Sequence, residues 1–204
     1  MEARTKICGI TTVEDALACA DAGASALGLN FWPRSVRRCE LEVARAIVDA
    51  VGDRARIVAV FVDAERDAIE RVLGETGIEW VQLHGDEPPE LVRALLPHAY
   101  KAVHLVDDAS VAEALRMPGD ELLVDASVPG MPGGTGRTCD WSRAARLARE
   151  RRVWLAGGLT PENVADAIAR VVPFGVDVAS GVERAPGVKD HARVRAFVDA
   201  VRAR

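Results

Sequence analysis

Lysine is scarce in this chain: of 26 basic residues only Lys6, Lys101 and Lys189 are lysines, so chemistry through an amine has three candidates. There is no run of about 18 apolar residues, which excludes a membrane-spanning helix. Residues 1–10 turn polar and glycine-containing before a hydrophobic signal region could form, so no secretory peptide is expected. Cysteine is sparse and scattered. Cys8, Cys19, Cys39 and Cys139 form no Cys-x-x-Cys pair and have no histidine at metal-ligand spacing, which argues against a zinc site and, without an export signal, against a disulfide framework. Excess positive charge is missing too: a net charge of −5 and a pI near 5.5 argue against nucleic acid or an anionic membrane as partner. The expectation is a reducing cytoplasm, free thiols and no metal.

What is present is a core. The chain has 204 residues, 49% of them hydrophobic, which suffices for a folded interior and excludes a disordered chain. Short β-branched runs at 5–8, 26–31, 57–62, 78–83, 100–105, 121–125, 153–156 and 175–179 alternate with amphipathic stretches at 13–22, 41–51, 65–73, 90–96, 109–115, 141–149, 161–171 and 190–201. The runs read as uninterrupted apolar strands, the pattern of a parallel sheet covered by helices. Thr11 and Glu14 read as a capping box, and Thr160 before Pro161 as a second helix start. Eight strand–helix units predict an α/β fold, a (β/α)8 TIM barrel forming a single domain over 1–204. An open doubly wound sheet, the alternative, more often has about five or six strands.

In such a barrel, residues at the C-terminal ends of strands carry the chemistry. Cys8 ends the first run and is followed by glycine, which opens its sulfur to the mouth; a thiol there serves as base or nucleophile, or else packs as a small hydrophobe. Asp125 ends the sixth run, where desolvation suits a carboxyl to general-acid work, or it pairs with a cation or caps the next loop. Gly157 and Gly158 after the seventh run, with Ser180 and Gly181 after the eighth, offer backbone N–H groups to a phosphate. Arg34, Arg37 and Arg38 follow the second run, and any of them could take a carboxylate. His84 and His104 reach the mouth, in hydrogen-bonding or packing roles before metal ligation. The glycine-rich stretch at 130–138 matches neither a P-loop nor a dinucleotide fingerprint, and reads as a lid over the site.

Together these residues resemble the phosphoribosylanthranilate isomerases over the whole chain. The resemblance rests on Lys6-Ile-Cys-Gly-Ile-Thr11, the segment from Gly28 to Arg37, Val81-Gln-Leu-His-Gly-Asp86, Leu123-Val-Asp125 before the glycine-rich stretch, the segment from Leu155 to Asn163, and that from Gly175 to Glu183. It implies an Amadori rearrangement of N-(5-phosphoribosyl)anthranilate, the third dedicated step of tryptophan synthesis. It further implies Cys8 as general base and Asp125 as general acid. Arg37 and His84 would be substrate-binding, and Gly157, Gly158, Ser180 and Gly181 the phosphate loops. No cofactor or metal is implied; the partner is the small-molecule substrate, and the assembly a monomer or homodimer. The alternatives are a sugar-phosphate-binding barrel without activity, an isomerase that also serves histidine synthesis, and a Schiff-base aldolase. The last needs a lysine at a strand mouth, where Lys6 faces the same way as Cys8 and Lys101 starts the fifth run at the wrong end.

Overall fold

The computed structural model describes residues 3–125 and 141–203. The lid reading for 126–140 and the free thiol of Cys139 lie outside the described residues.

Strands and helices alternate as β1 (Arg4–Cys8), α1 (Val13–Ala22), β2 (Ala26–Asn30), α2 (Leu41–Val51), β3 (Arg56–Phe61), α3 (Arg66–Thr76), β4 (Trp80–Leu83) and α4 (Pro89–Ala94). They continue as β5 (Ala99–Val103), α5 (Asp108–Arg116), β6 (Glu121–Asp125), α6 (Trp141–Ala148), β7 (Arg152–Ala156), α7 (Val164–Val171) and β8 (Gly175–Val178). After β8 come a short antiparallel pair, β9 (Glu183–Ala185) and β10 (Val188–Lys189), and then α8 (His191–Arg202). Strands β1 to β8 pair in parallel in chain order, and β8 returns to β1 with Arg4 opposite Gly175, closing a (β/α)8 barrel.

Side chains alternate across the strands, so each strand feeds two cores. Leu122 and Val124 of β6, with Val153 and Leu155 of β7, pack outward against the helices; Leu123, Trp154 and Ala156 pack inward with Ala26, Val58, Tyr100 and Ala102. The strands are not uninterruptedly apolar, as the sequence suggested. Lys6, Gln82, Glu121 and Asp177 are also buried, each on the inward phase of its strand. Buried polar groups need partners; these are paired except at Asp177 Oδ1, which accepts no hydrogen bond, while Lys6 Nζ is held by its ion pair alone. Lys6 Nζ lies 3.0 Å from Asp177 Oδ2, and Glu121 accepts from Arg56 at 2.9 Å and from Trp154 Nε1 at 2.8 Å. Lys101 does not start β5 but lies in its middle, and its amine reaches the loop after β4, donating to Gly85 O and pairing with Glu87 at 3.1 Å.

Two helix starts differ from the expected ones. Thr12, not Thr11, caps α1 by accepting from Asp15 N at 3.1 Å, while the Thr11 hydroxyl donates to Gly187 O at 2.6 Å. Helix α7 begins at Val164 with Asn163 at its cap, preceded by a turn in which Thr160 N donates to Asn163 Oδ1 at 2.8 Å.

Candidate active site

The C-terminal ends of β1 to β8 open on one face of the barrel. Cys8 ends β1 half-buried, with Lys6 two residues behind it on the same inward phase. A Cβ on Gly28, in the next strand, would sit 2.8 Å from Cys8 Sγ and 3.2 Å from Lys6 Nζ, so only glycine leaves room for both groups. Burial pushes the Cys8 thiol up from its ordinary value, and the Lys6 charge opposes this. Burial also works against the charge on Lys6, but Asp177 and the neighbouring Cys8 and Tyr100 overcome it, and its ammonium is held strongly protonated. Lys6 is therefore a fixed cation beneath the sulfur, not a neutral amine of the kind a Schiff base requires.

Asp125 ends β6, and His84 Nε2 stands 3.4 Å from its Oδ2. A chain of contacts runs back from there into the barrel. The Tyr100 hydroxyl donates to Gln82 Oε1 at 3.1 Å, which turns the Gln82 amide N–H toward His84 Nδ1 at 2.7 Å. With Nδ1 accepting, the imidazole proton sits on Nε2 and faces Asp125. His104 lies exposed at the rim, its Nδ1 3.2 Å from Asp125 O.

The loops after β7 and β8 meet. A side chain on Gly181 would collide with Leu159 O, so the turn Ser180–Val182 packs directly on the loop that carries Gly157 and Gly158. Both of those glycines have left-handed backbone, and Gly158 faces open space. Of the three arginines after β2, Arg34 stacks on the Trp32 ring at 5.0 Å and Arg38 pairs with exposed Glu40 at 3.1 Å. Arg37 alone turns inward, over Gly9 and against Glu183. Glu183 and Lys189, which pair at 2.9 Å, take no site role from sequence; the one signal is that Lys189 is one of only three lysines. A separate cavity of about 620 Å³ opens between Phe31, Trp32, Phe61 and Asp63, outside the ring and lined by neither Cys8 nor Asp125. Among the described residues no cluster of histidine, cysteine or carboxylate side chains is arranged to hold a metal ion.

A profile described as N-(5'phosphoribosyl)anthranilate (PRA) isomerase matches residues 5–200. The chain belongs to this family. A relative from Roseiflexus castenholzii, an N-(5'-phosphoribosyl)anthranilate isomerase, is 48% identical over 209 residues, spanning 97% of each chain. The phosphoribosyl anthranilate isomerase of Thermotoga maritima superposes with a TM-score of 0.90 at 40% identity, covering 99% of this chain and 100% of that one. A further isomerase of the family was solved in complex with reduced 1-(o-carboxyphenylamino)-1-deoxyribulose 5-phosphate; it superposes at 0.87 with 38% identity, covering 99% of this chain and 100% of that one. Membership in this isomerase family disfavours the aldolase and the inactive-barrel alternatives.

Proposed function

We propose that the chain converts N-(5-phosphoribosyl)anthranilate to 1-(2-carboxyphenylamino)-1-deoxyribulose 5-phosphate in tryptophan synthesis, with Asp125 as general acid and Cys8 as general base. Protonated Asp125 gives its proton to the ribose ring oxygen as the C1′–O bond breaks, and the nitrogen lone pair forms the C=N bond of a Schiff base. The Cys8 thiolate then removes the C2′ proton, and the C–H electrons form C1′=C2′ while the C=N pair returns to nitrogen. The resulting enolamine takes a proton at C1′ while its C2′ hydroxyl gives one up and the C1′=C2′ pair forms the new C1′–H bond, leaving the C2′ ketone. Atoms and electrons are conserved, so no external redox partner enters.

The observation that carries this reading is the family match over 5–200, with Cys8 and Asp125 both ending strands on the face where loops 7 and 8 meet. Gly157, Gly158, Ser180 and Gly181 would hold the phosphate. Arg37 would hold the anthranilate carboxylate, and His84 would fix Asp125 and the adjoining substrate hydroxyls. No helix among the described residues is long and apolar enough to cross a membrane. A cytoplasmic enzyme acting on a free small molecule, without nucleic acid, fits that and the net charge of −5. The test is the fluorescence of the anthranilate adduct followed during turnover. Cys8→Ala and Asp125→Asn should each lose at least about a hundredfold in rate, the scale of one acid or base. Turnover that survives both changes overturns the assigned roles.

A further inference from the structure

The rearrangement as written makes no use of the group that holds Arg37. Glu183 begins β9, just beyond the loop that follows β8, with only 4% of its side chain exposed. Its carboxylate takes one whole side of the Arg37 guanidinium: Nε donates at 2.8 and 3.1 Å, and Nη2 at 2.7 Å. A guanidinium is a rigid planar fork with five donors. Once Nε and one Nη2 hydrogen are engaged, the edge left to a second carboxylate is Nη1 with the outer hydrogen of Nη2. The stem is fixed as well, since a methyl on Gly9 would lie 2.6 Å from Arg37 Cδ.

A carboxylate beside a substrate-binding arginine would normally weaken its pull on an anion. Here Lys189, fully buried in β10, donates to the same Glu183 at 2.9 Å and to Cys8 O at 2.6 Å. Two cations and one anion leave the cluster net positive. Burial pushes the Glu183 carboxyl up, but its hydrogen bonds to Arg37 and Lys189 outweigh this and hold it below its ordinary range.

We propose that Glu183 is a positioning residue for substrate recognition: it fixes one side of Arg37 so that the opposite edge is aimed at the aryl carboxylate, while Lys189 restores the positive charge. This rests on the assignment of Arg37 to that carboxylate made above. The gain is preorganisation. Arg37 sits on a loop and is partly exposed, and a long side chain left loose would lose rotamer freedom on binding.

The test compares two stable ligands by calorimetry. One is reduced 1-(o-carboxyphenylamino)-1-deoxyribulose 5-phosphate, and the other is its phenylamino counterpart without the carboxylate. Glu183→Gln should weaken the first roughly tenfold, the scale of one well-made charged hydrogen bond, and leave the second within about twofold. In steady state the same variant should raise KM and keep kcat. Glu183→Asp keeps the charge but shortens the reach, should fall between, and serves for the comparison if the Gln variant does not fold by circular dichroism. Equal weakening of both ligands, or weakening of neither, overturns the proposal. If the unaltered enzyme binds neither ligand, the substrate assignment itself fails and the positioning role falls with it.

Discussion

Cys8 and Asp125 are visible in the sequence because each closes a short apolar run with a residue able to exchange a proton. Of the groups that tune them, Lys6 can be placed beside Cys8 from the strand period, but its partner Asp177, and Gln82 behind His84, are hidden, for a physical reason. Both sit inside apolar strands and become meaningful only when the barrel turns them inward. The Cys8 thiol carries a consequence that can be measured. A thiol held above its ordinary value is mostly protonated at neutral pH, and the reactive thiolate grows about tenfold per pH unit below the pKa. Alkylation of Cys8 by iodoacetamide, read by mass spectrometry, should therefore be slow at neutral pH and rise steadily past the ordinary thiol value of 9.0. Rapid neutral alkylation that levels off early would mean that Lys6 outweighs burial. In the proposed rearrangement the sulfur would face a cationic Schiff base, which would favour the thiolate at the moment it is needed.

All eight strands and all eight helices of the barrel are legible as elements, because the apolar period changes sharply from run to run. Their ends are less so. Ile78 is buried like a strand residue, yet its N–H goes to Thr76 Oγ1 at 3.3 Å and β4 starts only at Trp80. Thr11 has a capping side chain but spends it on Gly187, 176 positions away, and no local pattern could reveal that. The link between the β9–β10 hairpin and Arg37 escapes notice for the same reason, since Arg37 and Glu183 are 146 positions apart. The junction of the loops after β7 and β8 makes its own demand. Gly181→Ala would drive its new methyl into Leu159 O and separate the two loops. We expect KM to rise at least about tenfold, with the loss read in affinity for phosphate-bearing ligands. A modest fall in Tm should accompany it, the usual cost of overpacking being about 1–3 kcal/mol. Unchanged KM would show that the two loops do not form one phosphate site.

Across the whole molecule, the three lysines share one fate. Each is buried and each faces a carboxylate: Lys6 with Asp177, Lys101 with Glu87 and Lys189 with Glu183. Arginine supplies the basic surface instead. The folded chain thus offers no lysine to acetylation or ubiquitin conjugation, both of which need an exposed amine. The same feature makes an amine-reactive reagent a clock for opening of the fold. In native buffer, lysine acylation followed by peptide mass spectrometry should be far slower than for an unfolded chain. Lys101 and Lys189, tied to loops and the hairpin, should react through local openings, and Lys6, enclosed by the ring of strands, only when the barrel itself opens. If Lys6 reacted as fast as the other two, the barrel would not be the most protected part of the molecule.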